Sequence, residues 1–172
     1  MASNPINTMD RFTSFSQEIQ AVEAIRRSRR SKIKKYPTVS VLVATVRPKD
    51  LSNLLDQLLT QSLPTFNLFL GLHTIDLSQS HKRQIAALNR RRVKVDVVKF
   101  AADKTLGTIL STLATRSDSE FIAKMDDDDY YGPEHLRDLL DAAVDNGADV
   151  VGRAMNYVYL EPLQLTVRRF VP

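Results

Sequence analysis

From Tyr36 onward the chain alternates between short apolar runs and stretches with helical spacing, and this alternation restricts its fold more than any other feature. VSVLVAT, residues 39–45, reads as a buried strand ending in the polar turn RPKD. Leu51, Leu54, Leu55, Leu58 and Leu59 then recur at the spacing of one helical face. FNLFLGL, residues 66–72, is a second strand, and Gln79 to Asn89 is a helix carrying Ile85, Ala86 and Leu88. VKVDVVKF, residues 93–100, is a third strand whose mixed polarity places it nearer a sheet edge than the first. Leu106, Ile109, Leu110 and Leu113 mark a shorter helix over 105–115, and EFIAKM, residues 120–125, is a fourth strand. A last helix opens at Pro133, presents Leu136, Leu139, Leu140 and Ala143, and stops at Asn146-Gly147. ADVVG, residues 148–152, is expected as a fifth strand; Tyr157 to Leu160 and Leu165 to Phe170 are extended runs around Glu161-Pro162 with the pattern of a hairpin. Strands alternating with helices require crossovers, so the fold class is α/β: a Rossmann-like, mainly parallel sheet with helices on both faces.

Residues 1–35 differ in kind from residues 36–172. The first segment holds eight Lys/Arg against three Asp/Glu, whereas the remainder holds 16 against 17, so the basic balance belongs to the leader. Nothing in the main domain's charge points to nucleic acid. Phe12, Phe15, Ile19, Val22 and Ile25 fall on one helical face, followed by RRSRRSKIKK at residues 26–35. One reading is a linker or docking helix whose cationic end is simply solvated. The other is a peripheral contact between residues 12–35 and an anionic membrane surface. There is no signal-peptide pattern and no run of about 18 apolar residues, so the expected location is cytoplasmic, with the inner membrane face as the alternative. Cysteine is absent, which excludes disulfides, thiolate zinc sites and a cysteine nucleophile.

In a parallel sheet, ligands sit beyond the carboxyl ends of the strands. That rule gathers RPKD, HTID, the turn around Lys104 and the run Asp126, Asp127, Asp128 and Asp129 at one edge. Four adjacent carboxylates repel one another, and a hard divalent cation such as Mg²⁺ or Mn²⁺ relieves the repulsion. On an extended backbone Asp126 and Asp128 share one side and Asp127 faces the other, so the first two are expected to face a cleft. A solvated turn with one capping aspartate is the plain alternative. His73 attracts notice as a base because an unperturbed imidazole titrates near about 6.5. His81 and His135 read as surface residues, and Tyr130 and Tyr131 as packing below the acidic loop.

VSVLVATVRP, the leucine-rich helix, the LG-containing segment before a short helix, and EFIAKMDDDDYYGPEHL together resemble the nucleotide-sugar-binding half of GT-A glycosyltransferases, especially the inverting family 2 type. The resemblance covers about residues 37–155 and rests most on a strand running into Asp-x-Asp-Asp with Pro133 four residues past the last Asp. It implies a metal-dependent transferase that moves a sugar from a nucleotide-diphosphate sugar to a hydroxyl of a glycan, lipid or polyol-phosphate acceptor. Asp126 then matches the acid near the donor ribose or a metal water, Asp128 the direct ligand to Mn²⁺ or Mg²⁺, and Asp129 a supporting carboxylate. Thr45 and Arg47 match the loop bordering base and ribose. His73 stands in the region where the family usually has an acidic residue on the base, and Lys104 is the first choice for a further charge on the diphosphate, ahead of Lys124, Arg47 and Arg153. The family's general base and acceptor elements are implied to lie beyond residue 172, so the expectation is a C-terminally truncated GT-A-like domain that is either a donor-binding fragment of a longer protein or one whose acceptor half has been replaced. A nucleotidyltransferase competes poorly because RPKD lacks the glycines of a triphosphate loop; a non-catalytic binding or scaffold domain is the third reading.

Overall fold

A computed structural model of the chain describes residues 8–153 and 157–168. The side chains of Phe12 and Phe15, the terminus at residues 1–7 and the end of the Leu165 to Phe170 run lie outside the described residues. The elements are α1 (Thr8–Lys32), β1 (Val39–Thr45), α2 (Pro48–Thr60), β2 (Asn67–His73), α3 (Gln79–Arg90), β3 (Lys94–Phe100), α4 (Leu106–Ala114), β4 (Phe121–Lys124), α5 (His135–Asn146), β5 (Tyr157–Leu160) and β6 (Leu165–Arg168). β1 to β4 form one parallel sheet in the order β3-β2-β1-β4, so the most apolar strand is internal and the mixed-polarity β3 is an edge.

Alternation along β1 builds two cores. Val39, Val41 and Val43 face α2, α3 and α5, where Leu51, Leu54, Leu55 and Leu58 of α2, Leu88 of α3 and Leu136 and Leu140 of α5 are buried. Leu42 and Phe69 of β2 face the other side, against Ile109 and Leu113 of α4. Each leucine removed from water in this way contributes roughly 2 kcal/mol of transfer free energy, so the α2 stripe alone fixes that helix to the sheet. On the α4 side a side chain at Gly71 of β2 is sterically excluded: a Cβ there would lie 2.8 Å from Ile109 Cγ2. α4 therefore rests directly on the β2 backbone.

Two expectations are corrected and a third is met. RPKD is not a free turn, because Pro48 occupies the first turn of α2 and Lys49 and Asp50 continue it; proline is suited to that position since its missing N–H has no helical acceptor there. ADVVG at 148–152 is not a strand. It runs past β4 without joining the sheet, and Val150 is 89% exposed. The outer edge of β4 is open among the described residues, so a ladder was on offer and is not taken up; Val151, Gly152 and Arg153 line the cavity beside β4 instead. The Tyr157 to Leu160 and Leu165 to Phe170 runs do contain a hairpin: β5 and β6 pair antiparallel around the 3₁₀ turn Glu161–Leu163.

The cationic end of α1 is not simply solvated but lies on α5. Arg26 donates from Nε and Nη2 to Asp138 at 2.9 and 2.8 Å. Arg30 donates to Asp141 Oδ2 at 2.8 Å and to Glu134 Oε2 at 2.6 Å, while Lys32 meets Asp145 at 2.9 Å. Asp141 is 1% exposed and also accepts from the Tyr36 hydroxyl at 2.6 Å. Burial pushes the Asp138 and Glu134 carboxyls up, but the α1 guanidiniums, with Arg153 on Asp138 and the Ser62 hydroxyl on Glu134, hold both below the ordinary range. Ile19, Val22 and Ile25 of α1 remain 39–50% exposed. No helix among the described residues is long and apolar enough to cross a membrane.

Candidate functional site

β1 runs three residues past its last contact with β4, and the loop between β1 and α2 carries Val46 and Arg47 over the carboxyl edge of the sheet. The β4 pairing ends in a hydrogen bond from Met125 N–H to Leu42 O (3.1 Å), and Asp127 and Asp128 form a turn, with the chain bending again at Asp129. The extended geometry expected to put Asp126 and Asp128 on one inward side therefore does not persist beyond the strand. Asp127 is the inward carboxylate: its side chain is 4% exposed, against 45% for Asp126 and 54% for Asp128.

Asp127 is held by its neighbours across the sheet edge. Its Oδ2 accepts from the Thr45 hydroxyl at 2.5 Å, and the Arg47 guanidinium donates to both its oxygens. Burial pushes the Asp127 carboxyl up, but Arg47 and Thr45 outweigh that and hold it below the usual carboxylate range; the same contact pushes Arg47 higher still. Arg47 Nη2 also lies 3.0 Å from Asp128 Oδ2, and its Nε lies 3.2 Å from Asp50 Oδ2. Lys124, which points out of the strand, donates to both oxygens of Asp126.

A second set of contacts fixes the turn's backbone. The Tyr131 hydroxyl accepts from Asp126 N–H at 2.8 Å and donates to Asp129 Oδ2 at 3.3 Å. Gln57 of α2 accepts from Tyr131 N–H at 2.5 Å and donates to Asp129 O at 3.3 Å. Burial, together with the charges of Asp129 and Asp126, pushes the Tyr131 phenol up to about 12, so it stays protonated and keeps its donor at neutral pH. Tyr131 thus does more than pack below the loop; Gln57 gave no signal in the sequence, since a glutamine on the exposed flank of a leucine helix has no local distinguishing mark.

These residues open onto a cleft of about 230 Å³ lined by Thr45, Arg47, Asp126 and Asp127 on one wall and by His73, Leu106 and Ile109 on the other. His73 Nε2 is buried there without a hydrogen-bond partner among the described residues. Lys104 is not part of the lining; it is exposed on the turn after β3, with its ammonium on Asp103 at 2.9 Å. A larger cavity of about 330 Å³ lies between β4 and α5; Phe121, Ile122, Leu139 and Leu140 form its apolar flank, and Lys124, Tyr131, His135 and Arg153 contribute its polar lining. His81 is 3% exposed and closes the start of α3: its Nδ1 accepts from Ser78 N–H at 3.2 Å, and its Nε2 reaches Pro48 O at 3.0 Å. Ser78 three residues before it was the readable capping signal. His135 is likewise half-buried, 4.7 Å from the Tyr131 ring, and burial with the nearby Arg153 lowers its pKa.

The turn offers hard oxygen donors on a half-exposed surface, which suits Mg²⁺ or Mn²⁺ in type. Among the described residues no three His, Cys, Asp or Glu side chains are arranged to hold a metal. Such a donor set fits an ion that takes one or two protein carboxylates and completes its shell with phosphate oxygens and water.

Residues 40–169 match the profile of glycosyl transferase family 2. Among solved structures, S. aureus TarS 1–349 superposes with a TM-score of 0.52 at 20% identity, over 69% of this chain and 39% of that one. The mannosyltransferase PcManGT from Pyrobaculum calidifontis, in complex with GDP-Man and Mn²⁺, gives 0.51 at 17% identity over 76% and 39%. Both likenesses concern the fold, and the present chain spans well under half the length of either. A comparison with curated protein sequences returns no match.

Proposed function

The chain belongs to glycosyl transferase family 2, and from that premise we propose that its cleft binds a nucleoside-diphosphate sugar and serves transfer of the sugar to an acceptor hydroxyl with inversion at the anomeric carbon. The observation carrying this reading is the convergence of Thr45, Arg47, Asp126 and Asp127 with the unpartnered His73 Nε2 at the carboxyl edge of a parallel sheet. A buried imidazole nitrogen without a partner is costly unless a ligand supplies one, and His73 is accordingly assigned to the nucleoside. Thr45 is assigned to the ribose side through the oxygen it shares with Asp127.

In the reaction the acceptor oxygen bonds to the anomeric carbon as the bond to the diphosphate oxygen breaks, and negative charge grows on the leaving group. Arg47 is placed to meet that charge with a forked guanidinium. Asp126 and Asp128 are the residues that would hold a divalent ion, whose bound charge supplies stabilisation that grows as the diphosphate departs. None of the three carboxylates Asp126, Asp127 and Asp128 is offered as the base, because each is already committed to a cation. Asp129 supports the turn through Tyr131, and Lys104 is a candidate diphosphate contact only after a movement of its turn.

The test is calorimetric titration of UDP and GDP with and without Mn²⁺, repeated in Asp128→Ala. Micromolar binding that needs Mn²⁺ and is lost in the variant is expected; binding unchanged by Asp128→Ala removes the metal assignment. The exposed Ile19, Val22 and Ile25 stripe on α1 is the surface we assign to a peripheral membrane contact. Sedimentation with phosphatidylserine vesicles at low and high salt tests it, and no salt-sensitive pelleting would remove it.

A further inference from the structure

Arg47 occupies an unusual position among the acids. Its guanidinium bridges Asp127, which is nearly sealed from water, and Asp128, which is half exposed, while its Nε also touches Asp50 one turn into α2. Arg47 itself is 46% exposed, at the mouth of the cleft. A divalent cation approaching Asp127 and Asp128 meets a positive charge already seated between them. Asp127, for its part, cannot be left as an unpaired buried anion, so Arg47 leaves only when another cation arrives.

We infer that Arg47 is a built-in counter-ion that a divalent metal and a nucleoside diphosphate displace together, which couples the two bindings. The inference rests on the donor-binding reading given above. Without nucleotide, Arg47 competes with the metal for Asp128, and metal binding is weak. With nucleotide present, the diphosphate offers the guanidinium two acceptor oxygens and draws it off the carboxylates, while Asp50 steadies it from behind. With Arg47 drawn off, Asp128 would be free to hold the metal together with Asp126, and phosphate oxygens and water would complete its shell. By linkage each ligand raises the other's affinity by the same factor. The fork matters less than the charge in the resting state, so a lysine should preserve the competition and a neutral side chain should abolish it.

The experiment measures free Mn²⁺ by electron paramagnetic resonance in the full chain, alone and with saturating UDP or GDP, for the native protein, Arg47→Gln and Arg47→Lys. Far-UV circular dichroism and the melting temperature establish that each variant is folded, and Arg47→Met replaces Arg47→Gln if the latter is not. In the native protein nucleotide is expected to tighten Mn²⁺ by about tenfold or more, within the usual range of coupling between sites. In Arg47→Gln, Mn²⁺ alone should bind about tenfold more tightly than in the native protein, with most of the nucleotide effect gone, whereas Arg47→Lys should keep weak Mn²⁺ binding alone. If the native protein binds Mn²⁺ with nucleotide and Arg47→Gln binds Mn²⁺ alone no more tightly, the counter-ion role is wrong and the donor site stands. If the native protein binds neither nucleotide with Mn²⁺, the donor site falls and this inference with it.

Discussion

The molecule contains two clusters of four acids each, and they are built for opposite ends. On α5, Glu134, Asp138, Asp141 and Asp145 meet Arg26, Arg29, Arg30 and Lys32 of α1, with Arg153 adding a further contact to Asp138. At the turn after β4, Asp126 to Asp129 meet only Arg47 and Lys124 among the described residues, and Asp129 has no cation at all there. The first cluster is saturated and sunk against the protein; its central carboxylate is 1% exposed. The second is short of positive charge and half open to solvent. Equal numbers of carboxylates thus give a fastening in one place and a surplus of negative charge in the other, and the ratio of partners decides which.

Acidification should act on both at once and have the largest effect. Asp127, Glu134 and Asp138 all have depressed pKa values in the folded protein. Their contribution is fully present above the unfolded carboxylate values of about 4 and is lost as the pH falls below that towards the folded values. The melting temperature should therefore sag modestly as the pH falls below about 6.5, where His135, with its lowered pKa, takes up a proton more readily in the unfolded chain, and then drop steeply below about pH 4. A protein equally stable at pH 3 and pH 6 would break the claim that these pairs matter to folding.

Asp141→Ala separates the clusters most sharply. It strands the Tyr36 hydroxyl and one seat of Arg30 in a buried place, and should cost about 3 kcal/mol in urea denaturation. Asp127→Ala removes a carboxylate just as hidden, yet its main partner Arg47 is half exposed and stays hydrated, so only Thr45 loses a buried acceptor. A cost of about 1 kcal/mol is expected there, with loss of Mn²⁺-dependent nucleotide binding as the larger consequence. Reversal of that ranking would mean that the acidic turn is the structural cluster. At the small end, Lys32→Ala should leave the urea midpoint unchanged, because Lys32 is 61% exposed and an exposed pair gains little over hydration. A measurable drop would show that the fastening is a network rather than two central arginines.

Much of this arrangement was legible before any coordinates. The valines of β1, the leucines of α2 and the mixed polarity of β3 carry period and burial in the local sequence, and each occupies the layer its pattern implied. The acidic turn was legible as a place. Its inward residue was not, because the backbone leaves the strand at Lys124 and the alternation rule stops there; only contacts to Thr45 and Arg47, about 80 residues away, turn Asp127 inward. The partners of the α1 cations were hidden for the same reason. Arg26 and Asp138 are 112 positions apart, and charge complementarity between helices leaves no periodic trace in either one. ADVVG shows the converse: local strand character did not become a strand even though the outer edge of β4 lies open among the described residues.

The bare backbone at Gly71 reaches further than its own contact. Because α4 is seated on it, a single methyl group at that position would press on Ile109 and Leu113, and Ile109, which lines the cleft, would have to move. The width of the far wall of the cleft is therefore gauged from beneath, by a hydrogen atom in the middle of a strand.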